Sequence, residues 1–87
     1  PSASISRQDA ALMVQRTFQA AGLEAADGTE ESFAGYSDAN LVDAYARGAV
    51  SGLLQQGIMP TRNGSISPRA ALTRADMALL LHRAIAR

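Results

Sequence analysis

The same twelve-residue pattern occurs twice in this 87-residue chain, once near each end. Residues 5–16 read ISRQDAALMVQR and residues 72–83 read LTRADMALLLHR. Each copy opens with a hydroxyl residue, an arginine, a variable residue and an aspartate, a sequence typical of a helix N-terminus. The pattern therefore predicts two helices of matching character. The predicted caps and first-turn acids are Ser6, Asp9, Thr73 and Asp76.

Apolar periodicity predicts three main helices, over residues 6–20, 40–56 and 73–86. Gly22 and Gly57 are placed to end the first two. No alternation of strands with helices occurs, so the predicted fold class is all-α: a small domain of three helices joined by turn-rich loops. The side chains expected to be buried are Met13, Phe18, Leu41, Val50, Leu53, Leu54, Leu80 and Ile85.

Glycines and turn residues mark the parts of the chain that lie between or against these helices. Gly48 and Gly52, four positions apart, predict a face where another helix approaches closely. In the loop over residues 24–37, Phe33 and Tyr36 are the expected anchors. The Asn63-Gly64 pair of the second loop is typical of a turn.

Composition and motif content exclude several functions. Eight acidic residues balance eight basic ones, which argues against nucleic-acid binding. The absence of cysteine excludes disulfides and thiol chemistry, and no apolar run approaches the roughly 18 residues of a membrane span. The only histidine, His82, is expected at the surface or an interface. No catalytic constellation, metal site or cofactor is predicted, although the parent protein could still be an enzyme.

Arg7 and Arg74 occupy the first turns of their helices, where the helix dipole disfavours a cation by roughly 0.3–1 kcal/mol. Backbone N–H groups together with a guanidinium could hold an anion there. Alternatively, each arginine pairs with a carboxylate such as Asp38 or Asp43. In either case we expect both arginines to be partly exposed.

The order of motifs from residue 33 onward resembles the S-layer homology family. The elements are an aromatic-x-Asp at 36–38 (YSD), Leu41 followed by Tyr45-Ala46, a Gly-Ile at 57–58, a turn at 64–68 (GSISP) and a closing Thr-Arg-Ala-Asp at 73–76, with a related SRQD at 6–9. The sequence departs from the family pattern in having Tyr45 for tryptophan, Thr61 for glycine, Gln8 for alanine, and Asp9 and Asp76 for glutamate.

The resemblance implies a particular organisation of the chain. Residues 33–87 would form one complete repeat, preceded by a loop over 24–37 and by the closing helix of an earlier repeat over 1–23. Family members usually combine three repeats in a pseudo-threefold helical body. Faces around Gly48, Gly52 and residues 79–81 are then expected to be exposed. Identical chains, as a dimer or trimer, or other repeats of the parent chain would cover them.

The resemblance also implies a non-covalent anchor at the extracellular face of the cell wall. Its partner would be secondary cell-wall polysaccharide, often carrying a pyruvate ketal whose carboxylate the motif arginines contact. The alternative is a structural or oligomerisation module without glycan binding. For Tyr45, Asp38 and Asn63-Gly64, core packing, helix capping and a simple turn are competing roles. The candidate glycan-binding residues are Arg7, Arg74, Asp38, Tyr45, Asn63, Gly64 and Ser65.

Overall fold

The computed structural model describes residues 4–86 and shows an all-α domain, which confirms the predicted fold class. Within this range the regular structure is helical, and extended pairing is limited to two isolated bridges. Residues 1–3 and 87, which belong to the predicted terminal segments, lie outside the described part. The α-helices are α1 (Arg7–Ala20), α2 (Ala44–Gln55) and α3 (Arg74–Ala86), with 3-10 turns at Glu30–Phe33 and Ala39–Leu41.

The predicted caps of α1 and α3 and the predicted glycine ends of α1 and α2 are confirmed. The hydroxyl of Ser6 accepts a hydrogen bond from the Asp9 N–H at 3.1 Å, and that of Thr73 accepts one from the Asp76 N–H at 3.0 Å. Each bond satisfies one of the backbone donors that a helix start leaves unpaired. Just beyond α1 and α2, Gly22 and Gly57 take left-handed conformations that a residue with a side chain rarely adopts.

Helix α2 begins at residue 44 rather than at the predicted residue 40. The side chain of Gln8 accepts a hydrogen bond from the Asp43 N–H at 2.9 Å and donates one to the Asp43 carboxylate at 2.7 Å. Asp43 is thereby held in an extended conformation. The Arg47 guanidinium donates to the carbonyl oxygens of Ala39 and Val42, which closes the preceding residues into a separate turn. Tertiary contacts therefore divide what apolar spacing alone predicts as one helix.

The core lies where α1, α2 and α3 meet the two loops. Val50, Leu53 and Leu80 are buried as predicted, while Phe18 and Leu54 are partly buried and pack against the core. Apolar spacing identifies a face of a helix but not whether that face is covered. The expected burial is accordingly wrong for three residues. These are Met13, Leu41 and Ile85, which are 59%, 43% and 85% exposed.

The two glycines of α2 do form a close-contact face, but its partner is a loop and not a helix. A Cβ atom at Gly52 would lie 2.5 Å from the carbonyl oxygen of Ala26, and one at Gly48 would lie 2.5 Å from the Asp27 carboxylate. The Gly28 N–H donates to the Gly48 carbonyl oxygen at 3.3 Å. The prediction that this face is exposed and free for other repeats is therefore wrong.

Both loops are fixed by the residues expected to fix them. Phe33 is buried, and the Arg47 guanidinium lies 4.4 Å from the centre of its ring. Tyr36 is partly buried against the core. In the second loop, Asn63 and Gly64 both have positive φ angles, and the backbone groups of the flanking residues bond to each other. The predicted turn is therefore confirmed as a tight hairpin turn.

Candidate functional site

The arginine of the first sequence copy contacts the aspartate of the second. Arg7 donates to the Asp76 carboxylate at 2.8 Å, to the Ile66 carbonyl oxygen at 2.9 Å, and to the carbonyl oxygen of Pro60. Its side chain is only 2% exposed. The expectation that Arg7 is exposed is wrong, and so are the expected partners Asp38 and Asp43. Burial is possible because every nitrogen of the guanidinium has an acceptor.

Asp76 accepts hydrogen bonds from two arginines at once. Besides Arg7, the Arg62 guanidinium donates to its second carboxylate oxygen at 2.6 Å, and that arginine side chain is 60% exposed. Burial on its own raises the pKa of the Asp76 carboxyl. The hydrogen bond from Arg62 and the charge of Arg7 outweigh burial, so the pKa lies below its ordinary value. The carboxylate is therefore ionised at neutral pH and neutralises only one of two guanidinium groups.

Arg74 has a different environment although it occupies the matching position of the motif. It is exposed at the first residue of α3 and makes no hydrogen bond or ion pair with residues 4–86. Residues two positions apart in a helix point to nearly opposite sides. Because Asp76 points to Arg7, Arg74 points away from this buried ion pair. The exposure predicted for this arginine is confirmed.

Asp38 binds the segment that follows the hairpin turn. Its carboxylate accepts hydrogen bonds from the Ile66 N–H at 2.9 Å, the Ser67 N–H at 2.8 Å and the Ser65 hydroxyl at 2.9 Å. Burial on its own raises the pKa of Asp38. The three hydrogen bonds lower this pKa by more than burial raises it, so the pKa lies below its ordinary value. Asp38 makes no side-chain capping bond to the turn at Ala39–Leu41, so the predicted helix-cap role is wrong.

Tyr45 is 59% exposed, so core packing, one of the two roles expected for it, is wrong. Its hydroxyl donates a 2.5 Å hydrogen bond to the Asp9 carboxylate, which raises the pKa of the tyrosine. Among the other candidates, Asn63 and Gly64 are exposed in their turn, and Ser65 is half-buried beside Asp38. Within residues 4–86 no hydrogen bond links Tyr45 to that turn. The candidates therefore form three groups, at α3, at α2 and at the hairpin.

Arg62 is a potential ligand that sequence reasoning overlooked. It immediately precedes the Asn63-Gly64 turn, and fourteen positions separate it from Asp76. No helical spacing connects the two residues, so only the folded turn brings them together. The prediction that His82 lies at the surface is confirmed.

Within residues 4–86, no group of three or more histidine or acidic side chains could hold a metal ion. None of the helices in this range has the length and apolar character needed to cross a membrane.

Comparison with known families identifies the chain. The model of the S-layer homology domain matches residues 35–78, which is half of the chain. No curated protein and no solved structure gave a significant match. The matched residues include the Asp38 contacts, the hairpin turn and the start of α3. Domains of this family are binding and anchoring domains and are not catalytic. The chain therefore belongs to the S-layer homology domain family, and it is a module for anchoring at the cell surface.

Proposed function

We propose that this domain anchors its parent protein to the extracellular cell wall by binding an acidic wall polysaccharide, with Arg74 as the main ligand of a glycan carboxylate. The observation that carries the proposal is the exposed guanidinium of Arg74, which has no partner within residues 4–86. A guanidinium donates two parallel hydrogen bonds to a carboxylate, and this geometry gives both strength and direction.

The charge around the start of α3 supports the same proposal. Arg7, Arg62 and Arg74 contribute three positive charges there, and Asp76 offsets only one. The first-turn N–H groups of α3 add partial positive charge. Arg62, with its side chain 60% exposed, is the second proposed ligand. Arg7 belongs to the structural support of this site, because its donors are already used.

The remaining candidates take supporting roles. The exposed ring of Tyr45 offers a face on which a sugar can stack, and Asn63 offers an exposed amide. Asp38 and Ser65 hold the hairpin segment beside the core, with Gly64 giving the turn its conformation. No metal or cofactor takes part in this scheme.

We propose the following division of the chain. Residues 33–87 form one complete repeat, and residues 1–23 are the closing helix of an earlier one, joined by the loop at 24–37. The matching caps of Ser6 and Thr73 support this division.

A sedimentation assay with purified cell-wall sacculi tests the glycan proposal. The wild-type domain should sediment with intact sacculi and stay in solution after the wall polysaccharide has been removed. Arg74→Gln should weaken binding by about tenfold, as expected for loss of a charge-assisted hydrogen bond. Arg83→Gln is the matched control, since Arg83 is exposed on the opposite side of the same helix. Equal binding by wild type and Arg74→Gln would refute the role of Arg74.

The alternative function, a structural or oligomerisation module, has its own supporting observation. Large apolar side chains on α1 and α3 are exposed, and exposed apolar patches of a few hundred Å² often mark interaction surfaces. They are Met13, Met77, Leu79, Leu81 and Ile85.

A further inference from the structure

Helices α1 and α3 line an open apolar groove. Their N-terminal ends are joined by the Arg7–Asp76 ion pair and by a backbone bond from the Leu72 N–H to the Ile5 carbonyl oxygen at 2.8 Å. Beyond this junction, Met13 of α1 and Leu81 of α3 lie along a cleft of about 210 Å³. These two side chains are 59% and 47% exposed. The groove is therefore open to solvent at these two side chains.

Two residues of opposite charge share helix faces with side chains that line this groove. Residues three, four or seven positions apart lie on the same face of a helix. Asp9 therefore shares a face with Met13, and Arg74 shares one with Met77 and Leu81. The hydrogen bond from Tyr45 uses one carboxylate oxygen of Asp9, and no bond within residues 4–86 uses the other. Arg74 has no partner in that range.

The Arg7–Asp76 pair shows how two copies of the motif join. The arginine of the first copy, Arg7, bonds to the aspartate of the second copy, Asp76. The opposite pairing, between the arginine of the second copy and the aspartate of the first, is not formed within residues 4–86. Arg74 is the arginine of the second copy, and Asp9 is the aspartate of the first. In any further molecule of this chain, Arg7 and Asp76 are already bound to each other. Asp9 and Arg74 are then the first-turn charges of the two copies that this ion pair leaves for an external contact.

We propose that this groove is a self-association surface for a second copy of the chain, with Arg74 of each copy bound to Asp9 of the other. A twofold arrangement forms both ion pairs at once and brings the two apolar grooves together, so the assembly closes. Because Arg74 is also the proposed glycan ligand, a carboxylate ligand competes with the second copy. Only this competition rests on the proposed function.

Sedimentation velocity across the micromolar range tests the contact. Wild type should show a concentration-dependent monomer–dimer equilibrium. Arg74→Glu and Asp9→Lys should each weaken it by at least about tenfold, because each removes both ion pairs and opposes like charges. Arg83→Glu, on the opposite face of α3, should associate as wild type does. A circular dichroism spectrum of each variant shows whether it is folded.

The decisive experiment mixes the two charge-reversed variants. An equimolar mixture of Arg74→Glu and Asp9→Lys should dimerise again, because the introduced glutamate meets the introduced lysine while the native Arg74 meets the native Asp9. A folded wild-type monomer at every concentration would overturn the proposal, as would failure of the mixed variants to associate.

A monosaccharide carrying a pyruvate ketal tests the competition. Its addition should shift the wild-type dimer toward monomer, and the same sugar without the ketal should not. Dimerisation that persists when the ketal sugar is bound would refute the competition. Dimerisation without any sugar binding would leave the interface in place and refute the proposed glycan function.

Discussion

The guanidinium of Arg7 lies 2.8 Å from the carboxylate of Asp76, although 69 positions separate the two residues in the chain. Both side chains are almost fully buried. Removing one partner of a buried pair leaves the other charge without compensation, which costs more than the pair itself contributes. The link between the two motif copies is therefore sensitive to the loss of either partner.

Asp76→Asn should lower the free energy of unfolding by about 3–5 kcal/mol, because Arg7 then remains buried without a counter-charge. Urea titration followed by circular dichroism measures this change. Asp9→Asn, at the matching position of the other copy, is the control and should cost less than about 1 kcal/mol. Equal stability of the wild type and the Asp76→Asn variant would show that the pair is dispensable.

The two motif arginines should respond differently to alanine. Arg7→Ala should destabilise the fold by about 3 kcal/mol or more, since it leaves the Asp76 carboxylate and two carbonyl oxygens short of donors. Arg74→Ala should change stability by less than about 0.5 kcal/mol, because the side chain is exposed. Thermal unfolding of the two variants, side by side, checks the difference. Comparable melting temperatures for both would contradict it.

Acid should unfold the domain as Asp38 and Asp76 take up protons. The pKa of each carboxyl is lower in the folded state than its ordinary value of about 3.9, so the unfolded chain binds more protons in acid. The contribution of these two carboxylates to the free energy of unfolding is present above about pH 4. It is lost as the pH falls through their folded-state pKa values.

Urea midpoints measured over a pH series check this sign. Asp38→Asn should be less stable than wild type at neutral pH, and the difference should shrink in acid. Glu31→Gln, at an exposed position, serves as the control and should run parallel to wild type. A constant difference between wild type and Asp38→Asn at every pH would contradict the assignment.

Gly52→Ala should destabilise the domain even though alanine favours helix by about 1 kcal/mol. Its Cβ would lie 2.5 Å from the backbone oxygen of Ala26, and overpacking of this kind costs about 1–3 kcal/mol. Gly48→Ala is the comparison, because its Cβ meets the movable Asp27 side chain. Melting temperatures should therefore fall more for Gly52→Ala. A larger fall for Gly48→Ala than for Gly52→Ala would mean that the loop backbone at Ala26 moves easily to admit the added methyl group.

Local signals explain what could be predicted from the sequence. The caps at Ser6 and Thr73, the glycine after each of α1 and α2, and the Asn63-Gly64 turn all depend on neighbours within four positions. Such patterns determine the local backbone geometry without help from distant residues. The family resemblance adds the order of these elements, and the family match confirms this order within residues 35–78.

The site could be predicted only in part because its contacts are long-range. Arg7 and Arg74 have similar local sequences, and only the packing of residues 60–76 around Arg7 buries one and leaves the other exposed. Arg62 reaches Asp76 through a turn, and Asp38 reaches Ser67 across 29 positions. Periodicity likewise could not show that Met13 and Ile85 lie on uncovered faces.

The partners of Arg7 also determine when the domain can complete its folding. All three acceptors of its guanidinium lie between residues 60 and 76, whereas the arginine itself is at the start of α1. A chain that emerges N-terminus first therefore carries a cation that has no burial site until the final third has followed. Contacts of such sequence separation slow folding, because most of the chain must close on itself before they form. Helix α1 therefore cannot complete its packing on its own. The junction between the two ends of the domain forms only after both ends have been synthesised.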